Sequence, residues 1–131
     1  MAFKLFSHDH NTVPGIEYLP CSAIQPKAGM ALTQTTGNLA IATGTTKPTY
    51  ISLLEAPAAV SAGTLIPVMR ISDDMIFETS FSASASSIKL GNKVTLHASS
   101  GLQVTATTSS GVAEVVYMAG TGSGDMCRVR F

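Results

Sequence analysis

The chain has 131 residues, is 45% hydrophobic, and carries eight basic and eight acidic side chains, which gives a formal net charge of zero. This length fits one domain, and the hydrophobic fraction is too high for a disordered chain. The sequence contains no cluster of Lys and Arg of the kind that binds nucleic acid. It also contains no run of 18 apolar residues, the length that a membrane-spanning helix needs. We therefore expect one folded domain with neither a nucleic-acid partner nor a membrane partner.

The first fifteen residues differ from the rest and predict an extended N-terminal arm. Phe3, Leu5 and Phe6 are apolar, a polar stretch follows, and Pro14-Gly15 then breaks the chain. Large apolar side chains on a free tail favour association, so these three dock either on a partner or on the chain's own core. We divide the chain into an arm at 1–15 and a domain at 16–131.

From residue 30 onward, apolar residues alternate with small or polar ones between turn sequences, which is the pattern of short β-strands. The turn at Thr36-Gly37-Asn38 predicts a hairpin, and Pro67 predicts an edge or bulged strand. In the last strand, Arg128 and Arg130 share the face opposite Cys127. In chain order, the predicted strands lie at 30–33, 39–42, 49–54, 65–71, 75–81, 94–97, 102–106, 112–118 and 126–131.

This pattern predicts an all-β fold: a sandwich, or a compact barrel-like or β-tulip-like single domain with the extended arm. Within 75–81, we expect Met75, Phe77 and Phe81 to share one face. Tyr117 lies in an apolar run, and we expect it to be buried. The two cysteines, Cys21 and Cys127, match no zinc or redox spacing. Without an apolar leader at the start, a reducing compartment is expected, which favours free thiols and leaves a disulfide as the alternative.

No constellation of residues predicts catalysis, and we expect neither an enzyme nor a cofactor. His8 and His10 would point the same way on a strand, but no third metal ligand is evident, so no metal site is predicted. His97 lacks a nucleophile-elbow partner. The Gly-rich stretch 120–125 precedes a strand rather than a helix, which excludes a phosphate loop.

The order of short motifs along residues 16–131 resembles small head decoration proteins of tailed phages and of prophages in Gram-positive bacteria. The resemblance implies a capsid cement protein of the β-tulip type, as in phage lambda, that binds the major capsid protein on the outer surface of the virion. It also implies a homo-oligomer, with a trimer favoured, made in the bacterial host cytoplasm. The motifs are Ile16–Pro20, Gly29–Leu32, Gly37–Ala40, Lys47–Ile51, Ile66–Ile71, Gly91–Leu96, Gly101–Thr105 and Cys127–Phe131.

In the lambda-type members an N-terminal arm reaches the capsid, and residues 3–11 hold the corresponding place here. We therefore expect this segment and the two arginines of the last strand to contact the capsid, and we expect removal of residues 1–13 to leave a folded protein that binds capsids poorly. The expected contacts are Phe3, Leu5, Phe6, His8, His10, Arg128 and Arg130.

Two other function classes stay open. A Ser/Thr-rich β-module of a phage tail fibre, head fibre or baseplate could bind host carbohydrate. Such sites usually offer exposed aromatic platforms, and this chain has no Trp and three Tyr. An enzyme is the third class, although no catalytic pattern supports it.

Overall fold

Ten β-strands carry the fold, and the computed structural model describes residues 2–8 and 14–131. Within those ranges there is no helix, and hence none that could cross a membrane. The strands are β1 (Lys4–Ser7), β2 (Ile16–Pro20), β3 (Ala31–Gln34), β4 (Leu39–Ile41), β5 (Tyr50–Ser52), β6 (Leu65–Arg70), β7 (Ile76–Ser80), β8 (Lys93–Val94), β9 (Ala113–Met118) and β10 (Met126–Arg130).

The strands form two five-stranded antiparallel sheets. Sheet A has the order β1-β7-β10-β9-β8, and sheet B has the order β2-β6-β5-β3-β4. The all-β prediction is confirmed. Its barrel-like form is corrected, because no strand ladder among residues 2–8 and 14–131 joins one sheet to the other, and each sheet keeps two edge strands. The domain is a two-sheet sandwich.

Two apolar clusters hold the sandwich together, one on each face of sheet B. The first lies between the sheets and joins Ile51 and Met69 of sheet B to Phe77 and Val129 of sheet A. The second covers the other face of sheet B around Leu32 and is closed by loop side chains such as those of Ile24 and Val60. Sheet B is therefore internal over much of its area, whereas one face of sheet A points to solvent.

Most predicted strands are present, with two differences. Pro67 lies in β6, which is an inner strand between β2 and β5 rather than an edge. It is tolerated because it lies opposite Leu53, just past the end of β5, where the Pro67 carbonyl still accepts the Leu53 N–H at 3.0 Å and only one ladder donor is missing. The predicted strands at 94–97 and 102–106 form an irregular hairpin with isolated bridges, including that between Leu96 and Val104.

The N-terminal segment belongs to the sandwich over residues 3–7. Strand β1 pairs antiparallel with β7 at the edge of sheet A, and the Phe3 N–H donates to the Gly29 carbonyl at 3.0 Å. The Phe3 ring is buried 5.4 Å from the ring of Phe131. Of the two alternatives for the apolar arm residues, docking on the chain's own core is the one observed for Phe3 and Leu5.

Candidate interaction surface

The outer face of sheet A presents a row of four side chains that cross the sheet. The strand registers place Lys4 opposite Glu78, Glu78 opposite Arg128, and Arg128 opposite Tyr117, on β1, β7, β10 and β9 respectively. Alternation along each strand explains the arrangement, because the residues on either side, such as Phe77 and Val129, turn into the core. Directly opposed side chains on one face lie close enough to interact.

Arg128 is the centre of this row. Its Nε donates to Glu78 Oε2 at 3.0 Å, and its guanidinium carbon lies 3.6 Å from the ring centre of Phe6 and 4.6 Å from that of Tyr117. Each such cation–π contact contributes about 0.5–1 kcal/mol at an exposed site. The two rings and the carboxylate therefore hold the guanidinium plane in place at the surface.

Beside this row, Arg130 and Lys93 extend the charged surface. Arg130 Nη2 donates to Glu114 Oε1 at 2.7 Å, and the register places Lys93 opposite the same Glu114. These three residues line a recess of about 240 Å³ that Lys47 also borders. Basic side chains therefore outnumber acidic ones in this recess.

The structure brings three of the seven predicted contact residues together. Phe6, Arg128 and Arg130 lie on the outer face of sheet A, and Phe6 touches Arg128. Phe3 and Leu5 instead pack into the core. His8 is half-buried just after β1, and the prediction for His10 lies outside the described residues. The placement of this contact set on a capsid stays a prediction.

Sequence reasoning missed two sets of exposed side chains. Tyr117, expected to be buried, is exposed against Arg128 because a bulge at Arg128/Val129 shifts the register of β9. Ile16, Tyr18 and Leu65 also project into solvent along β2 and the start of β6. The sequence analysis used Ile16–Pro20 only as a motif of the resemblance and predicted no strand there, so the exposed face of β2 was not anticipated.

The chemically reactive side chains are dispersed or buried. No group of three His, Cys, Asp or Glu residues that could hold a metal ion occurs in the ranges 2–8 and 14–131. Cys21 and Cys127 are free thiols in different apolar clusters, and burial raises the pKa of Cys21 and raises that of Cys127 to about 12. His97 Nδ1 accepts backbone N–H groups of its own turn.

Comparison with protein-family models, with curated proteins and with solved structures finds no match for this chain. The geometry of the outer face of sheet A and the sequence resemblance are therefore the two observations that bear on function.

Proposed function

We propose that this protein is a structural component of a phage particle that binds the outer surface of an icosahedral capsid and stabilises the shell by bridging capsomers. Its partner is the major capsid protein, and it acts on the virion after synthesis in the bacterial host cytoplasm. The order of short motifs in residues 16–131 supports the family, and the outer face of sheet A supports a protein-binding role. This role requires neither catalysis nor a cofactor.

The observation that carries the proposal is the charge of the outer face of sheet A. The whole chain is neutral, yet among the described residues this face holds four cations and two carboxylates. Glu78 accepts a hydrogen bond from Nε of Arg128 at 3.0 Å, and the rings of Phe6 and Tyr117 lie against the same guanidinium. A planar guanidinium held in this way suits the carboxylates of a protein partner. The six charged residues are Lys4, Lys93, Arg128, Arg130, Glu78 and Glu114.

A modest surface is sufficient for this role. Binding only to the expanded lattice stabilises that lattice by mass action, and many weak contacts on one closed shell act together. A homo-oligomer, with a trimer favoured by the resemblance, would engage several capsomers at once.

The first test is quantitative mass spectrometry of purified virus particles from the source organism. We expect a ratio of this protein to the major capsid protein near one, or a simple fraction of it. Its absence from the particle would overturn the proposal, and a few copies per particle would place it on a tail, fibre or vertex instead.

The second test assigns the surface. Capsids that lack the protein are mixed with purified protein and sedimented. We expect the double variant Arg130→Gln/Lys93→Gln to bind about tenfold more weakly at low salt, with a flatter salt dependence. The matched control is Arg70→Gln/Lys27→Gln, which removes two exposed cations elsewhere. Equal losses in both variants would reject the outer face as the contact.

A carbohydrate-binding module is the second candidate, because Phe6 and Tyr117 are exposed aromatic residues. Sugars stack on free ring faces, however, and Arg128 occupies one face of each ring. A glycan array decides between the two: specific hits that Tyr117→Ala abolishes would favour the carbohydrate module over capsid binding.

A further inference from the structure

A second surface, on sheet B, carries an inference of its own. Four large apolar side chains project into solvent there, and we refer to them as the apolar margin: Ile16 is 60% exposed, Tyr18 65%, Leu53 41% and Leu65 61%. The β2–β6 register places Ile16 beside Met69 and Tyr18 beside Pro67. Since directly paired residues point to the same side, the margin continues the face of sheet B that forms the inter-sheet core.

The margin is uncovered because the two sheets are offset. Sheet A ends at β1, and residues 2–5, at and just before the start of β1, line a groove together with Ala28–Gly29 and Ile51–Leu53. Strand β2 and the start of β6 extend beyond that line. Between β1 and sheet B runs a groove of about 480 Å³, lined mainly by apolar side chains including Phe3, Ile51 and Met69. Of the described residues that line it, only Lys4 is charged. We refer to it as the β1 groove.

The size of the margin matches what an interface between proteins needs. At about 200 Å² for a large apolar side chain, the exposed fractions amount to roughly 450 Å² of apolar surface. The largest apolar patch on a monomer is typically about 300–600 Å² and is often functional. A standard interface buries about 800 Å² per partner, of which about 57% is apolar. The margin therefore supplies the apolar share of one complete half-interface.

The shape and charge of this region point to another copy of the same chain as the partner. Tyr18 projects only two strands away from the β1 groove, with Pro67 between it and Leu53, so one continuous patch holds both a projection and a recess. Such a patch can pack against itself in a two-fold pair or head to tail in a closed ring. The margin carries no charge, and the net charge of the chain is zero, so copies do not repel one another.

We propose that the apolar margin is the surface through which copies of this chain bind one another, with Tyr18 and Leu65 of one copy packed into the β1 groove of the next. The contact leaves the outer face of sheet A free. It adds a self-association surface to the proposed function and does not depend on capsid binding.

The test is sedimentation velocity of the purified full chain without capsids, over about 1–500 μM. We expect a defined dimer or trimer for the natural chain, and at least a tenfold rise in its dissociation constant for Tyr18→Asp and for Leu65→Asp. Leu90→Asp is the matched control: Leu90 is 62% exposed, like Leu65, but lies in the turn before β8. Circular dichroism verifies that each variant folds, and Tyr18→Ala serves as a milder second variant.

Three outcomes would overturn the proposal: a monomer at every concentration, an oligomer that neither margin substitution weakens, or an oligomer that Leu90→Asp weakens equally. The self-association proposal and the proposed virion function can fail independently. A monomer that still binds capsids would refute only self-association, and an oligomer that is absent from virus particles would refute only the virion role.

Discussion

Phe3 and Phe6 form a matched pair that tests whether the N-terminal segment is part of the domain. They are the same residue type three positions apart, yet Phe3 is 3% exposed and Phe6 is 49% exposed. Replacing each in turn by alanine removes the same atoms from the core in one case and from the surface in the other. A free arm would make the two substitutions equivalent.

The contacts of the two rings predict how much more stability Phe3→Ala should lose than Phe6→Ala. Phe3 meets Phe131 edge to face at 5.4 Å, and Phe131 lies 5.8 Å from Phe77. Truncating a buried Phe to Ala typically costs about 3–5 kcal/mol. Because the β1 groove adjoins Phe3 and lets water enter the vacated space, we expect a loss near the lower end, about 3 kcal/mol. Phe6→Ala loses mainly its contact with Arg128, about 0.5–1 kcal/mol.

The assay is urea unfolding of both variants followed by far-ultraviolet circular dichroism. We expect Phe3→Ala to lower the midpoint strongly with an unchanged slope, and to lower Tm by about 10 °C. Losses below about 1 kcal/mol for both variants would refute the placement of Phe3 in the core. Removal of residues 1–13, which from the sequence should leave a folded protein, is now expected to destabilise the domain as well, so point substitutions separate binding from stability better than truncation.

Three further predictions concern a glycine, a thiol and a carboxyl. Gly29 has φ +79°, and a Cβ there would meet the Phe3 carbonyl oxygen, so Gly29→Ala should lower the free energy of unfolding in urea by about 2 kcal/mol or more. Gly37 has a similar φ of +88° but lies in open space, so Gly37→Ala should lower it by about 1 kcal/mol. Burial raises the pKa of Cys127 from 9.0 to about 12, so its alkylation at pH 8, followed by mass spectrometry, should be about 1000-fold slower in the native than in the unfolded chain. Arg70 donates two hydrogen bonds to the Glu17 carboxylate and thereby lowers the pKa of Glu17. NMR titration should therefore find this pKa below its ordinary value, and the stability that the ion pair contributes should be lost as the pH falls through the lowered pKa.

For each of these predictions, one result would contradict the structure. Equal losses of unfolding free energy in Gly29→Ala and Gly37→Ala would show that Gly29 does not closely approach the Phe3 backbone. Rapid native alkylation of Cys127 would show that its cluster is open to solvent. Arg70→Gln should return the Glu17 pKa to its ordinary value, and no change would refute the ion pair.

Local sequence patterns predicted much of the fold because they depend on short-range geometry. The Thr36-Gly37-Asn38 turn predicted the β3–β4 hairpin, and Gly37 has the positive φ that such turns require. Alternation in β10 correctly placed Arg128 and Arg130 on the face opposite Cys127, which is buried in the core. Pro67 was assigned to an edge or a bulged strand because its missing N–H was visible in the sequence, whereas the short partner strand β5, which makes the missing bond tolerable, was not.

The candidate surface could be predicted only in part, for the same reason. Arg128 and Arg130 were assigned to one face from their spacing, and Phe6 was identified as a contact residue. That Phe6 lies on the guanidinium of Arg128 depends on the pairing of β1 with β7, which joins segments more than seventy residues apart. No local pattern encodes which distant strand becomes a neighbour.

Period-two alternation and turn chemistry act within a few residues, so local sequence is enough to predict an all-β protein, the positions of most strands and the side chains that share a face. Which of those faces are covered follows from the packing of the two sheets. Phe3 is buried because β1 pairs at the edge of sheet A, and Tyr18 is exposed because sheet A ends before it reaches β2. Burial depends on how two sheets are offset in space, and that offset is set by packing across the whole domain.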